Sequence, residues 1–186
     1  MVIPYYLKML YTSNAAWEEI DQSVVKTLFY MVLPLSLLPP VMILYAGFEY
    51  GESFFTAANE VVWISSAAVF LVAELITVML MAWAIKNIAA SRGIETDYRN
   101  TLTVTSFSAV PMWLSSFALF LPNPLFVISM VLLGLLISIC LNYYGTKNLL
   151  HMHEELEVAS ITHTTISLGV VAWVFLVTLI VIPLLW

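Results

Sequence analysis

One carboxylate lies in the middle of an apolar stretch of this chain. Glu74 interrupts an otherwise uncharged run over residues 61–85. Intramembrane acids are costly and usually functional or paired. No Lys, Arg or His lies at a similar depth in the other apolar runs. We therefore expect the carboxyl group to be neutral, because removal from water disfavours its charged form.

Glu74 has two interpretations. In the functional one it is a proton or cation site at the membrane midplane. In the structural one it donates a hydrogen bond that holds two helices together. Ser66, Phe70 and Glu74 recur at helical spacing, which predicts that Glu74 faces other helices. The candidate acceptors are the freed carbonyls of a proline-interrupted first span and the hydroxyls of Thr105, Ser106, Ser108, Ser115 and Ser116. The absence of a second charge favours the structural interpretation.

A second candidate is a polar segment that contains His151 and His153, followed by several glutamates and by His163. A His-x-His sequence near carboxylates can bind Zn²⁺. His151 and His153 do not share a helical face, however, and no cysteine joins them. We therefore favour a solvated acidic loop and expect no metal or cofactor.

Motifs of soluble enzymes are missing from the sequence. It contains no phosphate-binding loop, no dinucleotide fingerprint, no Gly-x-Ser-x-Gly elbow and no His-Glu-x-x-His motif. We therefore expect no catalytic residue and a non-enzymatic protein.

The composition indicates that these residues lie in a lipid bilayer. The chain of 186 residues is 62% hydrophobic and only 10% charged, whereas soluble domains carry about 25% charged residues. Its net charge is −6 with six Lys and Arg, which argues against nucleic acid as a partner. The single cysteine, Cys140, excludes an intramolecular disulfide.

Five apolar runs are long enough to cross about 30 Å of hydrocarbon as helices. They predict an all-α fold, a polytopic bundle of five transmembrane helices over residues 27–186. Pro39 and Pro40 predict a bend or break in the first helix, and the Pro122-Asn123-Pro124 turn predicts a tight hairpin between the third and fourth. The predicted spans are about 27–48, 61–85, 102–121, 125–144 and 166–186.

The segment over residues 1–26 precedes the first span. Trp17, Ile20 and Val24 recur on one helical face, which predicts a short amphipathic helix. This helix either lies on the membrane surface or simply leads into the first span. With five spans, all six Lys and Arg fall on one side of the membrane. The positive-inside rule then places the N-terminus in the cytoplasm and the C-terminus on the opposite side.

The order of elements resembles the bacterial branch of the Yip family, five-span membrane proteins related to eukaryotic Ypt/Rab-interacting proteins. Trp17 and Ile20 resemble the Trp-x-x-Ile of the family ahead of the first span. Pro111 resembles the proline of its third-span signature, and Tyr144 and Gly145 match the Tyr and Gly that close the fourth span. After Gly145 the chain departs from the family pattern. The resemblance implies a five-helix domain in a bacterial inner membrane and transfers no catalytic residue.

These observations predict a scaffold or accessory subunit of a membrane complex. Its expected partners are the lipid bilayer and other membrane-protein subunits or further copies of itself. The alternative is a small transporter or channel component, in which Glu74 and the broken first helix form a midplane ion or proton site.

Overall fold

The computed structural model describes residues 24–55, 58–152 and 154–185, and these residues form helices without any strand. Five helical segments are long and apolar enough to cross a membrane, which confirms the predicted all-α, multi-pass fold. The predicted N-terminal amphipathic helix, with Trp17 and Ile20, lies outside the described residues. We call the five segments the first to fifth spans, and they are Leu28–Ser53, Glu60–Ser91, Tyr98–Phe120, Pro124–Leu149 and Glu155–Leu185.

The helices are longer than the hydrocarbon layer requires. The second span has 32 residues, a length of about 48 Å at 1.5 Å per residue. The hydrocarbon core of a bilayer is about 30 Å thick. The second span therefore tilts across the membrane or projects into the adjoining water.

The first span is irregular. It begins with a π-helix over Leu28–Val32, continues as an α-helix over Leu33–Ser36, and resumes as a second α-helix over Leu38–Tyr50. Leu37, between the two α-helices, keeps right-handed helical angles, with φ −74° and ψ −20°. Proline lacks the N–H that a continuous helix uses, so the predicted interruption near Pro39-Pro40 is observed two residues earlier, at Leu37.

The second to fifth spans form a ring. The second span contacts the third and the fifth, and the fourth span contacts the third and the fifth. The first span packs outside this ring against the second and third spans.

The third span is the most buried and has the lowest mean hydropathy. In its apolar window 44% of the residues are buried, compared with 11% in the fifth span, which has the highest mean hydropathy. Hydroxyl-bearing side chains lie in its buried part, including Thr101, Thr103 and Ser106. The buried face of a span does not need apolar side chains, because it contacts other helices and not lipid.

Polar caps order both ends of the hairpin made by the third and fourth spans. Asn123 Oδ1 accepts hydrogen bonds from the N–H groups of Leu125 (3.1 Å) and Phe126 (3.2 Å), and so caps the fourth helix. At the opposite end, Asn100 Nδ2 donates to the carbonyl of Leu149 (3.0 Å). The tight turn predicted from Pro122-Asn123-Pro124 is therefore present.

Candidate functional site

Glu74 lies on the buried face of the second span. Ser66, Phe70, Glu74 and Val78 on this face are all buried, as their helical spacing predicts. Only 7% of the Glu74 surface is exposed. The carboxyl group therefore faces the interior of the bundle.

The partner of Glu74 is an aromatic residue of the third span. Trp113 Nε1 donates a hydrogen bond to Glu74 Oε1 over 2.5 Å. Only 2% of the Trp113 surface is exposed, and its ring is among the largest fully buried side chains. Glu74 thus accepts a hydrogen bond here, whereas the sequence led us to expect that it donates one to a hydroxyl or a carbonyl.

The expected hydroxyl partners are mostly occupied within their own helix. Thr105 and Ser108 donate to carbonyls one turn earlier, over 2.9 Å and 2.7 Å, and Ser115 and Ser116 likewise bond to nearby carbonyls. Such local bonds are a common arrangement for hydroxyls inside helices. Ser106 is the exception, because its hydroxyl is buried without a hydrogen-bond partner among the described residues. The donor to the carboxyl group is the indole N–H of Trp113.

The second carboxyl oxygen differs from the first. Glu74 Oε2 is buried and has no hydrogen-bond partner among the described residues. A charged carboxylate oxygen accepts hydrogen bonds, and a protonated one donates. Oε2 can therefore make one more polar contact. When charged it can accept from a donor or bind a cation, and when protonated it can donate to an acceptor.

Apolar side chains surround the Glu74–Trp113 pair. Trp113 packs in a cluster with Val32 of the first span and Val78 of the second, and Leu35 packs against that cluster. Leu35 lies two residues before the interruption at Leu37. Trp113, the partner of Glu74, therefore packs beside the irregular part of the first span.

Pro111 of the family signature lies at a close approach between two spans. A Cβ atom added to Gly134 of the fourth span would lie 2.9 Å from the carbonyl oxygen of Pro111 and 3.3 Å from Cβ of Ser115. A glycine at position 134 therefore allows the third and fourth spans to pack backbone against backbone. The sequence alone did not reveal this role.

A second close approach involves a Gly-x-x-x-Gly motif in the first span. Cβ atoms added to Gly47 and Gly51 would lie 2.3 Å and 2.7 Å from ring atoms of Trp63. The indole of Trp63, at the start of the second span, thus lies in the notch that the two glycines leave. The spacing is visible in the sequence and often marks close helix contact, but only the structure identifies Trp63 as the partner.

The histidines are dispersed. His151 is an exposed turn residue with a positive φ of 52°, and His163 is exposed on the fifth span. His153 lies outside the described residues. Within residues 24–55, 58–152 and 154–185, no group of three or more His, Cys, Asp or Glu is arranged to hold a metal ion. The prediction that His153 lies in a solvated loop and holds no metal stays untested.

The remaining family-signature residues lie at the end of the fourth span. Tyr144 is exposed and Gly145 is buried. The rings of Tyr143 and Tyr144 meet edge to face, with centroids 5.5 Å apart. Tyr144 therefore faces outward from the bundle, beside the fifth span.

Comparison with protein families supports the resemblance seen in the sequence. The family model described as the Yip1 domain matches residues 7–176, which is most of the chain. No curated protein and no solved structure matches the chain. The five apolar helices and the extent of the family match together show that this chain is a membrane protein of the Yip1-domain family.

Proposed function

We propose that this protein is a non-enzymatic scaffold or accessory subunit of a membrane complex. The observation that carries the proposal is the low burial of two adjacent spans. In their apolar windows only 17% of the fourth span and 11% of the fifth span are buried. These two spans offer most of their surface to lipid or to the helices of a partner.

The exposed surface of these spans is rich in large side chains. On the fourth span Leu132 and Leu136 are exposed, and on the fifth span Val171 and Phe175 are exposed. Aromatic and aliphatic side chains supply van der Waals contact, which together with polar contacts drives helix association in membranes. A partner helix is therefore expected to dock on this surface.

An exposed leucine provides a second contact point outside the membrane. Leu156 is 86% exposed at the start of the fifth span, between the exposed Glu155 and Glu157. An apolar side chain with acidic neighbours is complementary to a partner surface that has an apolar patch with Lys or Arg beside it. This segment extends the proposed interface beyond the bilayer.

The proposed location is the inner (cytoplasmic) membrane, with the N-terminus in the cytoplasm. The described Lys and Arg residues lie in or beside the segments at one end of the bundle, whereas Glu49, Glu52 and Glu60 lie at the other. The positive-inside rule assigns the end with the Lys and Arg to the cytoplasm. The fifth span then carries the chain to the opposite side.

Extraction in mild detergent, followed by identification of co-purifying proteins, tests the scaffold role. Two substitutions to Trp identify the surface that the partner contacts. Val171 on the fifth span is the test position and Val41 on the first span is the control, because both side chains are exposed. Val171→Trp is expected to remove the partner from the purified complex, and Val41→Trp is expected to leave it. A native protein that runs alone, as a monomer or homodimer, would reject the proposal.

A second candidate function is a small transporter or channel component with a midplane site at Glu74. The observation in its favour is the buried Oε2 atom without a hydrogen-bond partner among the described residues. Acids at such depth often serve in ion or proton pathways. The irregular first span beside the Trp113 cluster resembles the discontinuous helices that line transporter sites.

Proton flux into liposomes tests this second candidate. Glu74→Gln keeps the size and the acceptor oxygen of the side chain but cannot exchange a proton. Glu60→Gln, at the exposed start of the second span, serves as the control. Flux that is abolished by Glu74→Gln alone supports the site, and full flux with Gln at this position excludes proton exchange there.

A further inference from the structure

A groove separates the fourth and fifth spans on the outer face of the bundle. Its volume is about 760 Å³, and its walls include Ile139 and Tyr144 from the fourth span and Ile166 and Val170 from the fifth. Small-molecule sites in proteins occupy about 300–1,000 Å³. The groove is therefore large enough for an extended apolar ligand.

The depth of the groove matches one leaflet of a membrane. From Glu155, the first residue of the fifth span, His163 lies about 12 Å and Val170 about 22 Å along the helix, at 1.5 Å per residue. The groove thus begins near the water-facing end of the span and reaches toward the middle of the bilayer. An acyl chain of a lipid lies along this direction.

An ion pair lies at the water-facing end of the groove. Lys147 Nζ and Glu155 Oε1 form an ion pair over 3.2 Å. Lys147 is spaced one helical turn from the groove residue Tyr144, and Glu155 one turn from the groove residue Ala159, so the pair lies in line with the two walls. An exposed pair of this kind is weak and opens easily for a ligand.

Polar side chains lie between this ion pair and the apolar end of the groove. Tyr143, Tyr144 and His163 line the groove there and can donate to ester or phosphate oxygens. Thr162 also lines it, is only 5% exposed, and has a hydroxyl without a hydrogen-bond partner among the described residues. The polar groups thus lie at the depth where a lipid has its glycerol esters.

We propose that this groove binds a zwitterionic glycerophospholipid of the phosphatidylethanolamine type. One acyl chain lies between Ile139 and Ile166, the phosphate contacts Lys147, and the ammonium group contacts Glu155. The neighbouring Glu154 and Glu157 are also exposed, so acids outnumber Lys147 at this end. That balance disfavours an anionic headgroup such as phosphatidylglycerol.

Photocrosslinking in vesicles tests the proposal. The native chain is reconstituted with phosphatidylethanolamine or phosphatidylglycerol that carries the same photoreactive acyl chain, and labelled peptides are mapped by mass spectrometry. We expect label on the groove segments 139–144 and 159–170, with phosphatidylethanolamine favoured by about two- to fivefold, the effect of one weak exposed contact. Label spread evenly over the exposed faces, or equal label from both lipids, would overturn it.

Three variants sharpen the test. Ser167 lines the groove and Ser129 does not, yet both are exposed and donate to a carbonyl of their own helix, over 2.8 Å and 2.7 Å. Ser167→Trp is expected to reduce groove labelling severalfold, and Ser129→Trp to leave it unchanged. Glu155→Gln is expected to lower the preference for phosphatidylethanolamine to one or below. Crosslinks between two copies of the chain through these segments would show that a helix, and not a lipid, fills the groove.

Discussion

The indole nitrogen of Trp113 and the carboxyl oxygen Oε1 of Glu74 lie 2.5 Å apart and join the second and third spans. Each group is costly to bury alone, because neither an N–H donor nor a carboxyl group is solvated by lipid. Together they satisfy the indole and one of the two carboxyl oxygens. The pair is therefore a hydrogen bond between two helices. The remaining oxygen, Oε2, has no hydrogen-bond partner among the described residues and is the atom that could take part in ion or proton binding.

The first prediction concerns this pair. Trp113→Phe removes the donor and leaves Glu74 buried without it, so the free energy of unfolding in micelles is expected to fall by about 1–3 kcal/mol. Glu74→Gln keeps an acceptor oxygen and is expected to cost less than Trp113→Phe. In a double-mutant cycle, Trp113→Phe and Glu74→Leu are expected to be non-additive, because each of these substitutions removes one partner of the hydrogen bond. Strictly additive effects of the two substitutions would contradict the hydrogen bond.

The second prediction concerns helix contact at Gly134. Gly134→Ala places a Cβ 2.9 Å from the Pro111 carbonyl oxygen, and overpacking of this kind costs about 1–3 kcal/mol. Gly169→Ala is the matched control, because the nearest atom to its added Cβ is Met81 Cε at 3.8 Å. Thermal unfolding in detergent is expected to show a lower midpoint for Gly134→Ala only. Equal midpoints for the two variants would argue against the close approach.

The third prediction concerns the notch formed by Gly47 and Gly51. Gly47→Ala is expected to destabilise the protein, because the added Cβ would overlap the Trp63 ring. If Trp63 is first replaced by Ala, the same Gly47→Ala change is expected to be nearly neutral. Unfolding of the two single variants and the double variant measures this coupling. A Gly47→Ala effect that is unchanged in the Trp63→Ala background would show that another group fills the notch.

The fourth prediction concerns the cap at the end of the fourth span. Asn100→Ala removes the donor to the Leu149 carbonyl and is expected to cost about 0.5–1.5 kcal/mol, the net contribution of one hydrogen bond. Asn87 provides the control, since its side chain is exposed and bonds to Trp83 of its own helix. Hydrogen exchange of the last turn of the fourth span is expected to increase in Asn100→Ala and not in Asn87→Ala. Equal exchange in both variants would reject the cap.

The sequence by itself determined that the protein lies in a membrane, how many helices are long and apolar enough to cross it, and where the chain turns between the third and fourth spans. It placed the start of the fifth helix at residue 166, whereas the helix begins at Glu155. Hydrophobicity is a local property, and a run of about 20 apolar residues can satisfy its backbone in lipid only as a helix. The turn at Pro122-Asn123-Pro124 likewise depends only on residues that are adjacent in the sequence. The sequence also placed Glu74 on an inward face, because helical spacing follows from the chain alone.

Only the tertiary structure decided which groups meet. Trp113 became the partner of Glu74, in preference to the hydroxyls on the same span, and Trp63 filled the notch at Gly47. Such pairs depend on how each helix is rotated and tilted against its neighbours, and that orientation comes from the packing of all five spans at once. A carboxyl group in an apolar run marks a position that needs a partner, but the identity of the partner depends on residues distant in sequence.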